Sequence, residues 1–161
     1  MKTLYIMRHG KAEDGFEKAD YKRKLTSKGI RRSREAGEKL KKMGVQFDAI
    51  VCSNANRTVE TAEIMAEVFD FPPTEIQKVK ELYLASVSVI LDCINSFDAR
   101  FSKILLVGHN PGVPELLTIL SGELIDWAPT SFLVAIDIQT DKWNEVGKVP
   151  AKISATLIPR T

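Results

Sequence analysis

Apolar residues along the chain gather into short runs, and amphipathic stretches fill the gaps between them. Leu4-Tyr5-Ile6-Met7 is the first such run, and Thr3 to Met7 is predicted as a buried central strand. The polar segment from Lys11 to Leu25, with Gly15 and several charges, reads as a loop. Thr26 or Ser27 then caps a helix running through Met43 and closed by Gly44. Its apolar face is thin (Ile30, Ala36, Leu40, Met43), the pattern of a helix lying on a sheet with one side in water. Phe47 to Cys52 predicts the second strand. Ser53 or Asn54 caps a second helix, which buries Ala62, Met65, Ala66 and Phe69 on one face and stops before Pro72-Pro73.

Ile76 to Val79 reads as a brief strand, and Val87 to Phe97 as a helix with Ile90, Leu91 and Ile94 turned inward. Lys103 to Val107 is the next buried strand. Pro114 suits the first turn of a short helix that ends at Gly122. Phe132 to Ile138 predicts a strand, Thr140-Asp141 a turn, and Trp143 to Val149 a returning edge strand. Ile153 to Ile158 also has strand character. Strands alternating with helices imply a three-layer α/β/α sandwich with a mostly parallel sheet, built as one domain over residues 1–161. Ligands of such sheets collect beyond the carboxyl ends of the strands. That edge receives Arg8-His9, Ser53 to Arg57 and Gly108-His109.

Bulk properties narrow the picture without directing it. A chain of 161 residues with 44% hydrophobic and 27% charged residues has the make-up of a soluble globular domain. A net charge of +2 gives no reason to expect nucleic acid or an acidic membrane as a partner. Clusters such as Lys22-Arg23-Lys24 read as solvated faces. Cys52 and Cys93 form no CxxC spacing and fit a reduced, cytoplasmic protein. No apolar run approaches the roughly 18 residues that a membrane span needs, and a monomer or weak dimer is expected.

The chemistry concentrates in the chain's two histidines. Each follows an apolar run and is flanked by glycine: Met7-Arg8-His9-Gly10 and Gly108-His109-Asn110-Pro111-Gly112. Singly, each has a plainer reading: a histidine at a strand end, a first-turn surface arginine, turn glycines needing positive φ. Together they describe a phosphoryl site. Phosphoryl transfer spreads negative charge over three equatorial oxygens and needs a nucleophile and fixed positive donors. His9 is the candidate nucleophile, to be phosphorylated and then hydrolysed. Arg8 and Arg57 supply charged forks for phosphate oxygens, and His109 a hydrogen bond that strengthens as charge develops. Ser53, Gly108 and Asn110 are expected to help bind the phosphate. No cofactor and no metal are expected.

Arg8-His9-Gly10 after an N-terminal strand resembles the signature of the histidine phosphatase superfamily, the phosphoglycerate-mutase-like fold. Ser53-Asn54-Ala55-Asn56-Arg57-Thr58-Val59-Glu60-Thr61-Ala62 resembles its second motif, and Val107-Gly108-His109-Asn110 its third. Within the superfamily the chain is similar to the short SixA-type phosphohistidine phosphatases, in its compactness and in the segments Leu82-Tyr83-Leu84-Ala85 and Gly108 to Gly112. The resemblance implies a phosphatase acting on a histidine-phosphorylated protein. The alternatives are a phosphomonoesterase of small phosphorylated metabolites and a phosphate-binding module without turnover. It also implies a carboxylate acid for ester substrates; Glu81 is the candidate and Glu13 the second choice. Position 58 is threonine where alanine is commoner in the family motif, a difference expected to be silent.

Overall fold

The computed structural model describes residues 1–159; Arg160 and Thr161, the end of the expected domain, lie outside the described residues. One six-stranded sheet runs through the molecule: β1 (Lys2–Arg8), β2 (Ala49–Ser53), β3 (Gln77–Val79), β4 (Lys103–Gly108), β5 (Leu133–Ile138) and β6 (Ala151–Leu157). Their order in space is β3-β2-β4-β1-β5-β6. β3, β2, β4 and β1 are parallel, while β5 runs antiparallel to both β1 and β6. The mostly parallel α/β sandwich predicted from the alternation of patterns is the fold observed.

The strand runs are apolar on both faces because helices cover both. Tyr5, Met7, Ile50, Cys52, Leu105 and Val107 point to one side and pack with Ala36 and Leu40 of α1 (Ser27–Lys42) and Ala62, Met65 and Ala66 of α2 (Asn56–Val68). Leu4, Ile6, Val51, Ile104 and Leu106 point to the other side. They meet Ile90 and Ile94 of α3 (Val87–Asn95) and Val113, Leu116 and Leu117 of α4 (Gly112–Ser121). The period-two alternation of side chains thus divides one apolar run between two cores.

Thr26 caps α1 as expected, its hydroxyl accepting the Gly29 N–H at 3.0 Å. Gly122 closes α4 in a left-handed conformation. Two expectations are corrected at helix ends. Neither Ser53 nor Asn54 caps α2; Ala55 holds that position without a side-chain bond, because the Ser53 hydroxyl is engaged elsewhere. α3 ends at Asn95, and Phe97 lies beyond its cap.

A third correction concerns Trp143 to Val149, which is not a strand. Trp143–Glu145 is a single 3-10 turn, and β6 pairs with β5 in its place. Trp143 and Val146 are both buried, and the spacing of three that sequence inspection takes for an edge hairpin is the period of that turn. The Trp143 indole donates to Phe101 O at 2.8 Å, and Asn95 Nδ2 donates to the carbonyls of Trp143 and Val146 at 2.8 and 3.1 Å.

Sheet register fixes the level of the functional residues. Arg8 pairs with Gly108, and Met7 with Val107, which pairs in turn with Cys52. His9, His109 and Ser53 therefore leave the sheet at one height. β5 enters the sheet at the same edge, with Leu133 opposite Met7, so the loop ahead of it borders the same ground.

Candidate active site

His9 is held on all sides by backbone. Its N–H donates to Gly108 O at 3.1 Å, and its carbonyl accepts the Ser131 N–H at 3.0 Å. Its Nδ1 lies 2.7 Å from Gly10 O. A carbonyl can only accept, so Nδ1 carries the proton and the Nε2 lone pair is left free. Gly10 N–H is fixed by Thr61 Oγ1 at 3.0 Å, and the Thr61 hydroxyl donates to Arg57 O at 2.7 Å. Gly10 is glycine for space rather than for a positive φ: a Cβ there would stand 2.7 Å from Ser33 Oγ and 2.9 Å from Gly29 O. Gly108 and Gly112 likewise do not belong to the positive-φ glycines, which corrects the turn-glycine reading.

Burial lowers the His9 pKa from 6.5 to about 3, and the charges of His109, Arg8 and Arg57 add to that effect against the opposing bond to Gly10 O. At neutral pH the imidazole is uncharged and nucleophilic. The His109 ring centroid is 5.4 Å from that of His9. Burial, followed by the nearby Arg57, lowers the His109 pKa to about 4, with Asp20 pulling the other way. Both histidines are nearly closed to solvent, at 6% and 4% exposure.

The arginines are anchored from behind. Arg8 donates from Nη1 to Ala128 O at 2.9 Å and lies 5.1 Å from the Trp127 ring centroid. Asn110 Nδ2 donates to the same Ala128 carbonyl at 2.9 Å. Arg57 sits in the first turn of α2, buried, and gives Nη1 to Asp20 O at 2.8 Å and Nη2 to Asp20 Oδ2 at 2.9 Å. Asp20 belongs to a 3-10 turn, Asp20–Lys22, and also receives Arg23 Nη1 at 3.0 Å and the Tyr83 hydroxyl. Burial alone would raise the Asp20 pKa, but bonds from Tyr83, Arg23 and Arg57 hold its carboxyl well below the usual carboxylate range. It is ionised at neutral pH and has no proton to give. The Tyr83 ring packs edge-on against His109, centroids 5.6 Å apart.

Among the described residues, four buried side-chain polar atoms have no hydrogen-bond partner: Arg8 Nε, Arg57 Nε, His109 Nδ1 and Asn110 Oδ1. Such atoms cost about 1–3 kcal/mol each and are rare in native proteins. All four belong to the residues that the motifs single out. With the free Nε2 of His9, they make a cluster of donors and one acceptor around a nucleophile, suited to an anion of phosphoryl geometry.

Of the expected site residues, the structure brings together Arg8, His9, Arg57, His109, Gly108 and Asn110. Ser53 is displaced from its expected role. It is fully buried with its Oγ 2.7 Å from His109 Nε2 and 2.6 Å from Thr58 Oγ1, so it supports His109 from behind. Glu81 and Glu13 form no bond with the cluster. Glu81 is exposed on the 3-10 turn Lys80–Leu82. Glu13 is bound at the surface by Lys18 Nζ at 2.5 Å and Lys24 N at 2.9 Å. A groove of about 700 Å³, lined by Val51, Val79, Glu81, Cys93 and Phe97, includes none of Arg8, His9, Arg57 or His109. The Cys52 thiol is pushed up to about 12 by burial and is inert at neutral pH. Asp20, Trp127 and Ala128 are additions that the sequence does not disclose, because nothing in a loop's composition says which strand end it leans on.

Comparison with known proteins agrees with the geometry. A profile of the histidine phosphatase superfamily (branch 1) matches residues 4–89. An uncharacterized protein of Picosynechococcus sp. is 34% identical over 115 residues, 70% of this chain and 68% of that one. A SixA-named chain from Nakamurella multipartitia superposes with a TM-score of 0.85 at 23% identity, covering 99% of this chain and 97% of that one. The protein histidine phosphatase SixA complexed with tungstate superposes with a TM-score of 0.82 at 23% identity, covering 97% and 96%. These superpositions show a shared fold.

Proposed function

The chain belongs to the histidine phosphatase superfamily and is a phosphatase; on that premise we propose that it removes phosphate from a histidine on a partner protein, through a phosphoenzyme formed at His9. The observation that carries this reading is the set of orphaned polar atoms, Arg8 Nε, Arg57 Nε and His109 Nδ1, grouped about a nucleophile whose only bonded ring nitrogen is the other one.

The His9 Nε2 lone pair attacks phosphorus as the P–N bond to the substrate imidazole breaks. Arg8, Arg57 and His109 hold the equatorial oxygens. Water then attacks the phosphoryl group, the Nε2–P bond breaks, and inorganic phosphate leaves with the water's proton released to solvent. An alkoxide leaving group needs an acid. Asp20 is ionised, and Glu81 and Glu13 stand apart from the cluster. A phosphorylated imidazole, once protonated by solvent, leaves without one. Among the described residues the only carboxyl bonded to the cluster is the ionised Asp20, which favours a phosphohistidine over a phosphate ester, and with it a phosphorylated protein over small phosphorylated metabolites.

The test is a comparison of turnover on a histidine-phosphorylated phosphotransfer protein and on p-nitrophenyl phosphate. The first should be much the faster, and the reverse preference would sink the proposal. Quenching in alkaline denaturant, where a P–N bond survives, should trap labelled phosphate on the wild-type chain. Absence of label during turnover would rule out the phosphoenzyme.

A further inference from the structure

Behind His109 lies a short chain of hydroxyls with no exposure to solvent. Thr58, in the first turn of α2, is fully buried. Its Oγ1 stands 2.6 Å from Ser53 Oγ, 2.9 Å from Ala55 O and 3.0 Å from Ser53 O. Ser53 Oγ in turn stands 2.7 Å from His109 Nε2. Each hydroxyl brings one proton and the carbonyls bring none. Two arrangements place a proton both between Ser53 and Nε2 and between Ser53 and Thr58. In the first, Thr58 donates to Ser53, Ser53 donates to Nε2, and the neutral ring keeps its proton on Nδ1. In the second, Nε2–H donates to Ser53, Ser53 donates to Thr58, and Thr58 donates to a backbone carbonyl.

The second arrangement depends wholly on Thr58. Among the described residues its oxygen is the only acceptor that the Ser53 hydroxyl has besides Nε2 itself, since the remaining contact of Ser53 Oγ is the Ala55 N–H, a donor, at 3.5 Å. Without Thr58, a proton on Nε2 would strand the Ser53 proton in a buried site. We propose that Thr58 is a positioning residue for His109: it is the acceptor that allows Nε2 to stay protonated while Nδ1 donates to a bound phosphoryl group. This rests on the reading of His109 as a donor to that group.

The consequence is a donor that can change charge. When an anion occupies the pocket, His109 takes a second proton from solvent and donates from Nδ1 as an imidazolium, its Nε2–H bonded to Ser53. Charge-assisted bonds are about twice as strong as neutral ones. The groups facing the ring are Arg57, Arg8, Asp20, His9 and the edge of Tyr83. Burial and the two arginines oppose the second proton and Asp20 favours it, so the anion decides.

Two histidines give few enough signals for the ring nitrogens to be read directly by NMR of isotope-labelled protein. At neutral pH with saturating inorganic phosphate, wild-type His109 should show a protonated Nε2. Thr58→Val, which keeps the shape and loses the hydroxyl, should show a bare Nε2 with the proton on Nδ1, and Thr58→Ser should restore the wild-type signal. The kcat of Thr58→Val should fall about tenfold, with KM changed far less and Thr58→Ser recovering the rate. A bare Nε2 in the wild type, or the same Nε2 state in Thr58→Val, overturns the proposal. A changed Nε2 state with unchanged kcat supports the role of Thr58 and overturns the reading of His109 as donor to the transferred group. If Thr58→Val does not fold, Thr58→Ala gives the same reading.

Discussion

His9 and His109 stand 5.4 Å apart, both nearly sealed from water and both far less basic than a free imidazole, yet they are tied by opposite nitrogens. His9 is fixed through Nδ1 to a backbone carbonyl and presents Nε2. His109 is fixed through Nε2 to a hydroxyl and presents Nδ1. A carbonyl is a one-way partner: it holds a proton on Nδ1, so that in the neutral ring the lone pair of Nε2 is free to attack. A hydroxyl works in both directions. The nucleophile must never carry a proton on its attacking nitrogen, whereas the donor must answer to the charge in front of it. The difference in partners matches that difference in task.

The contrast has measurable consequences. The largest belongs to His9→Ala, which should reduce turnover to background and abolish phosphate labelling of the chain, because the Nε2 lone pair of His9 is the one left free to form the covalent bond. His109→Ala should lower kcat by about 10²- to 10³-fold, or about 2.7–4 kcal/mol, as expected for one lost transition-state donor. Labelling at His9 should persist in that variant. A loss of less than tenfold would remove His109 from the pocket and end the comparison.

A smaller effect concerns stability. Both histidines have folded pKa values, about 3 and about 4, below the ordinary 6.5. Between pH 6.5 and those values the unfolded chain binds protons that the folded chain does not, so stability must fall as pH falls through that window. Thermal melts from pH 8 to pH 4.5 should show the decline, and His9→Ala and His109→Ala should each flatten it. Inorganic phosphate should reduce it too, since an anion in the pocket offsets the arginine charges. A melting temperature unchanged down to pH 5 would contradict the depressed values. The smallest effect is that of Glu81→Gln, an exposed residue outside the cluster, whose kcat/KM on phosphohistidine should stay within about twofold of wild type. A large loss there would restore Glu81 as the acid.

What the sequence reveals follows from how each part is built. Arg8, His9 and His109 are legible because a buried parallel strand is an unmistakable apolar run, and whatever follows it lies at the carboxyl edge. Arg57 is legible because the second helix begins directly after such a run. The sequence suggests that Ser53 faces the phosphate, but the chain turns at the strand end and carries its hydroxyl behind His109. Position 58 reads as silent, and only the fold shows that the Thr58 hydroxyl meets Ser53. Asp20, Trp127 and Ala128 come from loops, where no periodicity betrays which way a side chain leans. The edge strand expected at Trp143 to Val149 failed for a related reason. Apolar residues three apart, Trp143 and Val146, record a turn and not a ladder.

The loop that supplies Asp20 leaves and rejoins the body of the protein through one clamp. Thr26 N–H donates to Lys11 O at 2.9 Å, and Ala12 bridges Leu25 just beyond it. Beneath the clamp, Gly29 lies so close to Lys11 that a Cβ would stand 2.2 Å from its carbonyl oxygen. Everything from Glu13 to Lys24 is thus an excursion whose two ends are pinned together before they reach His9. Lengthening such a loop adds little to its closure entropy, about 0.6 kcal/mol for each doubling. Length above the clamp is therefore cheap to change, provided that a carboxylate still meets Arg57 where Asp20 does.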